Sequence, residues 1–259
     1  MKALLKPMKR ITTFLYNLLN ALLGKHYTIL RYKTTYNEDG LATFHIPGFL
    51  NDPLFNKSYQ LGKQTGAWPS IDIQWRVHTC CWAAERAKTL KGDFVECGVF
   101  KGGISRAVIN YIDFGNLDKK FYLLDTFEGI PLEYVSDAEL KLIDPEKRNE
   151  LYTDTYGQVK ETFKLFKNVL LIKGKIPETL PEVESDSIAY LSIDLNNYQP
   201  EIAAIRFYWD RLVPGAVVIL DDYCYSDKYI NQRLEWDKFA KEKGFQILSL
   251  PTGQGLIIK

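Results

Sequence analysis

Five carboxylates in this chain stand where short apolar runs end. Glu96 lies in Phe94-Val95-Glu96-Cys97, just before Gly98. Asp125 closes Phe121-Tyr122-Leu123-Leu124, Asp194 closes Ile188 to Ile193, and Asp221-Asp222 close Ala216 to Leu220. Apolar runs of this length read as buried strands, and a parallel sheet binds its ligands beyond the carboxyl ends of its strands. The first two acids suit a nucleoside. Gly98 lets the chain turn, and Gly102 and Gly103 let the next helix begin close to a ligand. A dinucleotide site wants a second glycine where this loop has Phe100, so the loop suits an amino acid and a ribose better than a pyrophosphate. Glu96 is placed to orient a ligand's amino group. Asp125, 29 residues further on, is placed to accept both ribose hydroxyl protons. Lys173-Gly174-Lys175 follows the next strand, where an adenine edge would lie, which adds Gly174 to the same site. The plainer alternatives are a glycine turn without a ligand and an aspartate that caps the next element.

Asp194, Asp221 and Asp222 end two consecutive strands and must lie close together. Three acids so placed repel one another unless a cation or a proton sits between them. Oxygen ligands suit Mg²⁺ or another hard divalent cation, which makes these three the expected metal ligands. A cation holding two neighbouring hydroxyls would lower their pKa and fix the geometry of attack, with Asp194 or Asp222 assisting proton removal. The alternative is that one acid caps a helix and the others are solvated.

The elements that must position these acids follow from periodicity. Helices are expected at Gln74 to Leu90, with Val77, Cys81, Ala84 and Ala87 on one buried face, at Gly103 to Asp113, at Glu201 to Leu212 and at Ile230 to Lys243. Val169 to Ile172 is a further strand, and Phe245 to Leu250 with Leu256 to Ile258 form a closing pair around Pro251-Thr252-Gly253-Gln254-Gly255. Five strands alternating with helices and then a hairpin define an α/β fold. It is a Rossmann-like, mostly parallel seven-stranded sheet flanked by helices, its last strand pair antiparallel. Residues 71–259 form this domain, with a polar, partly helical stretch at 130–166 expected as an insertion or lid. Tyr134, Tyr152 and Tyr156 in that stretch either stack on a sugar ring or pack. Residues 1–70 form an N-terminal extension, an amphipathic helix followed by an irregular arm with turn formers at Asn37-Glu38-Asp39-Gly40 and Asn51-Asp52-Pro53.

The first 33 residues carry seven Lys/Arg and no acid. Ile11, Leu15, Leu18, Leu19 and Leu22 share one helical face, on a run too short to span a bilayer. That face either packs on protein or lies on a membrane surface, the first being favoured. Over the whole chain the net charge is +1, which carries no signature of nucleic-acid binding. Cys80, Cys81, Cys97 and Cys224 have neither disulfide nor zinc spacing and read as buried thiols of a cytoplasmic protein.

With these residues in place, the chain resembles the macrocin/mycinamicin O-methyltransferase family (TylF/MycF type), among the class I methyltransferases. The resemblance is carried by GDFVECGVFKGG, FYLLDTFEGIP, IKGKIPETLP, LSIDLNNYQPEIAAIRFYWDRLVPGAVVILDDY and LPTGQGLIIK. It implies an enzyme dependent on S-adenosylmethionine (SAM) and Mg²⁺ that methylates a hydroxyl of a sugar or glycoside. The implied partner is a small-molecule or glycan acceptor, and the implied state a homo-oligomer. Carried over residue by residue, Glu96, Gly98, Ser105, Asp125 and Thr126 line the SAM site, with Phe100, Gly102 and Gly174 beside them; Asp194, Asp221 and Asp222 hold the metal. One position departs from the pattern. Members tend to read Ile-Asp-Gly-Asp-x-Tyr where this chain has Ile193-Asp194-Leu195-Asn196-Asn197-Tyr198, so Asn196 replaces a proposed general base. An amide cannot accept that proton, which leaves Asp222, Asp227, Tyr198 and His78 as substitutes. Asn196 also supports a second expectation, a catalytically silent SAM- or glycan-binding protein. A third, an NAD-dependent oxidoreductase, is opposed by Phe100 and by the acid cluster.

Overall fold

The computed structural model describes residues 13–19, 21–22, 33–152 and 154–259. The chain divides into two compact units, Met1–Pro47 and Gly48–Lys259. In the first, residues 13–19 and 21–22 are helical, and Phe14, Leu15, Leu18, Leu19 and Leu22 are exposed. Ile11 and most of the basic residues expected alongside them lie outside the described residues. A hairpin of β1 (Tyr36–Glu38) and β2 (Leu41–Thr43) follows. Its two loop residues, Asp39 and Gly40, both have positive φ, the geometry that matches the twist of paired strands. Among the described residues no helix is long and apolar enough to cross a membrane.

The second unit is the α/β domain. Its strands are β3 (Asp93–Cys97), β4 (Phe121–Asp125), β5 (Val169–Lys173), β6 (Ile188–Ile193), β7 (Leu212–Leu220), β8 (Leu248–Ser249) and β9 (Gly255–Ile258). They form one sheet in the order β5-β4-β3-β6-β7-β9-β8. Every pair from β5 to β7 is parallel, and β9 runs antiparallel to both β7 and β8. This is the expected architecture. The strand at Phe245 to Leu250 is much shorter than expected, because only two of its residues pair with β9.

Alternation along the strands feeds two cores. Phe94, Phe121, Leu123, Val217 and Ile219 face one side; Val95, Tyr122, Leu124, Val218 and Leu220 face the other. On the first side pack α1 (Pro53–Lys63), α2 (Gln74–Ala87), α3 (Gly103–Tyr111) and, from the segment between β4 and β5, α6 (Tyr156–Phe163). On the second pack α7 (Tyr198–Tyr208) and α8 (Ile230–Lys243). Helix α1 lies in the stretch read as an irregular arm. Asp52-Pro53 is a helix start rather than a turn: the Asp52 carboxylate accepts the Leu54 N–H at 2.9 Å, and Pro53 occupies the first helical position, where no N–H is needed. The stretch at 130–155 holds two short helices, α4 (Asp137–Leu140) and α5 (Pro145–Asn149), around a small core of Ile130, Val135 and Ile143.

Candidate active site at the strand ends

The register of the sheet brings the expected acids together. Glu96 lies opposite Leu123 of β4 and Ser192 of β6. The ladder continues one step beyond β6, where Asp194 N–H donates to the Cys97 carbonyl at 2.8 Å and Asp221 N–H to the Ile193 carbonyl at 3.0 Å. Asp194 and Asp221 therefore leave neighbouring strands side by side, with Asp222 next in the chain.

At β3, Glu96 is buried and accepts a hydrogen bond from Ser105 Oγ at 2.8 Å. Burial pushes its carboxyl up to about 8. Gly98 then turns with φ of +90°, and a Cβ there would stand 1.8 Å from the Asp194 carbonyl oxygen, so no other residue fits. Phe100 has φ of +52° and sets its ring edge-on to Tyr152, with centroids 5.0 Å apart. Gly102, also left-handed, caps α3 and leaves room for Phe163. Asp125 gathers the loop. Its Oδ2 accepts the N–H groups of Val99 and Phe100 at 2.6 and 2.7 Å, and its Oδ1 accepts Phe127 N–H at 2.6 Å. The Thr126 hydroxyl builds the next turn, donating to the Gly129 carbonyl at 2.6 Å. Gly174 N–H donates to the Asp125 carbonyl at 2.9 Å. The residues read as a nucleoside site thus gather at the ends of β3 and β4. Their chemistry fits SAM: a buried carboxyl beside a glycine turn for the ammonium, and a second carboxylate on the next strand for the ribose.

The acid cluster holds residues that the sequence reading missed. From α2, Arg76 donates from Nη1 to Asp221 Oδ2, while its Nη2 is 3.7 Å from Asp222 Oδ1. The same guanidinium lies 4.2 Å from the ring centroid of Tyr225. Gln254 Nε2 takes the other oxygen of Asp221 at 2.9 Å. Asn196 Nδ2 donates to Asp194 Oδ1 at 3.0 Å, and Asn196 Oδ1 in turn accepts from Arg148 Nη1 at 2.6 Å and from the Tyr229 hydroxyl at 3.3 Å. Burial and then Asp221 push Asp222 up to about 7, with Arg76 pulling the other way, and burial also raises Asp194 well above the usual carboxylate range. The divalent cation implied by the resemblance does not fit this arrangement. Two of the three carboxylates face a guanidinium, the third faces an amide, and among the described residues no group of three or more His, Cys, Asp and Glu is set to hold a metal ion.

Of the other expected bases, His78 is taken up in aromatic packing, and Tyr198 and Asp227 stand at the starts of helical turns. His78 stacks on Phe49 with ring centroids 4.0 Å apart, and burial lowers its pKa. Tyr198 begins α7, its N–H donating to Glu139 Oε1 at 2.9 Å, and Asp227 begins a short 3₁₀ turn. Of the tyrosines, Tyr134 donates to Glu178, and Tyr156 packs on Phe127.

Sheet order, glycine turn and strand-end acids together define a class I methyltransferase fold. The family described as Macrocin-O-methyltransferase (TylF) matches residues 76–247, and the chain belongs to it. It is 28% identical over 178 residues to 8-demethyl-8-(2,3-dimethoxy-alpha-L-rhamnosyl)-tetracenomycin-C 4'-O-methyltransferase of Streptomyces olivaceus, covering 60% of this chain and 64% of that protein. It is 27% identical over 144 residues to mycinamicin III 3''-O-methyltransferase of Micromonospora griseorubida, covering 51% of this chain and 56% of that one. The matched stretches thus span somewhat over half the length of these relatives. Among solved structures, the O-methyltransferase NovP superposes with a TM-score of 0.61 at 21% identity, over 71% of this chain and 79% of that one. CalS11, a calicheamicin methyltransferase, superposes at 0.60 and 18% identity, over 80% and 93%.

Proposed function

We propose that this chain is a SAM-dependent O-methyltransferase acting on a hydroxyl of a sugar or glycoside. The observation that carries the reading is the line of strand-end carboxylates: Glu96 and Asp125 around a glycine turn on one side, Asp194, Asp221 and Asp222 beside them on the other. Family membership supports the same choice, as do the relatives, which are O-methyltransferases, one of them of a rhamnosyl-tetracenomycin.

SAM, when bound, supplies a methyl carbon on a sulfonium: the C–S bond breaks with its electrons passing to sulfur, an acceptor O–C bond forms, and the hydroxyl proton leaves to a base. Glu96 and Ser105 hold the amino-acid end, and Asp125 orders the loop and meets the ribose. Asp222 takes the proton; its carboxyl, held near neutrality by burial, is matched to that task. Arg76 and Arg148 keep the surrounding carboxylates compensated. Asn196 favours one further reading, a silent binder, because the amide replacing the expected base is already used by Arg148 and Asp194.

Calorimetric titration with SAM tests the reading, followed by turnover on a panel of glycosides. Micromolar binding weakened about 100-fold in Asp125→Ala, about 2.7 kcal/mol, with methyl incorporation on at least one glycoside, is the expected outcome. Tight binding with no turnover on any glycoside selects the silent binder. No binding of SAM overturns both.

A further inference from the structure

Three acids that meet in one site are relieved by a cation or by protons, and this chain brings a cation from its own helix. Arg76 projects from α2 into the ends of β6 and β7 and bridges Asp221 and Asp222. Its side chain is 9% exposed, so the pairing is largely withdrawn from water, where a guanidinium between carboxylates holds its geometry best. Three further contacts fix the arrangement. Tyr225 covers one face of the guanidinium at 4.2 Å. Gln254, itself fully buried, occupies the Asp221 oxygen that Arg76 leaves. Asn196 caps Asp194, and Arg148 brings a second guanidinium to within 2.6 Å of that amide.

A hard divalent cation needs several oxygens converging on one point at about 2.0–2.6 Å. Here an oxygen of Asp221 points at Arg76 and its other at Gln254, while an oxygen of Asp194 points at Asn196. A second cation would have to displace the arginine or sit against it. We infer that Arg76 is the built-in cation of this site: it takes the place that a divalent ion would hold among Asp194, Asp221 and Asp222, and it leaves the chain without a requirement for one.

Asn196 fits the same logic. An aspartate at that position would face the Arg148 guanidinium and add a fourth negative charge beside Asp194. An amide instead donates to Asp194 and accepts from Arg148.

The inference rests on the methyltransferase reading for its chemical meaning, but its test does not need turnover. Mn²⁺ titration followed by electron paramagnetic resonance, on the full chain, reports the cation site directly. Wild type is expected to bind no Mn²⁺ tighter than millimolar. Arg76→Ala is expected to acquire one site at least 10-fold tighter, and Arg76→Lys, which keeps the charge, to remain without it. Thermal melting of each variant identifies any that fails to fold. Stoichiometric Mn²⁺ binding by wild type overturns the inference whatever the variants do. Failure of a folded Arg76→Ala to gain a site also overturns it, because the arginine would then not stand where an ion could. Wild-type methyl transfer, once an acceptor is in hand, should be unchanged by EDTA; abolition by EDTA with rescue by Mg²⁺ is the contrary result. Absence of SAM binding, in contrast, removes the methyltransferase reading and leaves the Mn²⁺ result standing.

Discussion

Glu96 is asked to do two opposed things. Its carboxyl, pushed up to about 8 by burial, is cheapest to keep neutral in the folded chain, yet a ligand ammonium needs it charged. The unfolded carboxyl titrates near about 4.3. Between these values the folded state holds a proton that the unfolded state has lost, so the stability contributed by Glu96 is complete at low pH. It is lost as pH rises from the unfolded value towards about 8. Glu96→Gln removes that loss. The variant should gain at least about 1 kcal/mol over wild type at pH 8, read as a higher melting temperature, and should bind SAM about 10-fold more weakly by calorimetry. An unchanged affinity would take Glu96 out of the cofactor site. At this scale the acids themselves were legible, because an acid that ends an apolar run in a parallel sheet has little choice of position. Arg76 was not: it pairs with Asp221 across 145 residues, and nothing in Gln74-Trp75-Arg76-Val77 distinguishes a residue aimed at the site from one aimed at solvent. Gln254 and Arg148 were hidden for the same reason.

Elements carry the glycine loop to its place. Helix α3 starts at Gly103, and α1 lies directly against it: a Cβ on Gly62 would stand 2.6 Å from the Gly103 carbonyl oxygen and 3.0 Å from the Trp68 ring. A partly buried hydrogen bond from Asn110 Nδ2 to Ser58 Oγ, 2.9 Å, ties the same two helices. Gly62→Ala therefore forces α1 away from α3 at the end that faces the ligand. Overpacking of this kind should cost about 1–3 kcal/mol in chemical denaturation. It should also weaken SAM binding although Gly62 belongs to no site. Loss of stability with full affinity would mean that α3 holds its place without α1. The long strands and α2, α3, α7 and α8 were legible from their periodicity, within a few residues at their ends. Helix α1 was not, because Asn51-Asp52-Pro53 carries a turn signature and a helix-start signature in the same letters, and the apolar face that decides between them is buried only by tertiary packing.

The α/β domain as a whole closes the site with the segment between β4 and β5. That segment is latched to the opposite half of the sheet at two points. Glu139, which also completes the cap of α4 through Ser136, accepts the first N–H of α7 at 2.9 Å. Arg148, from α5, donates to Asn196 beyond β6 and, at 2.6 Å, to the hydroxyl of Tyr229. Around α4 and α5 the segment has only a small core of its own, Ile130, Val135, Ile143 and part of Tyr152, with further polar ties from Tyr134 to Glu178 and from Lys175 to Glu133. A segment with few apolar contacts opens at a free energy set largely by its polar latches. Hydrogen bonds to a charged group are worth about 1.5–3 kcal/mol. Arg148→Ala should therefore speed amide exchange in residues 137–149 by about 30-fold, roughly 2 kcal/mol of opening free energy, while the strands β3, β4 and β6 keep their protection. Since the latch crosses the acid cluster rather than the glycine loop, SAM affinity should change little and the KM for an acceptor should rise. Exchange that accelerates throughout the sheet would instead make Arg148 a support of the whole fold, and exchange that does not change would leave the segment held by its small core and its other latches.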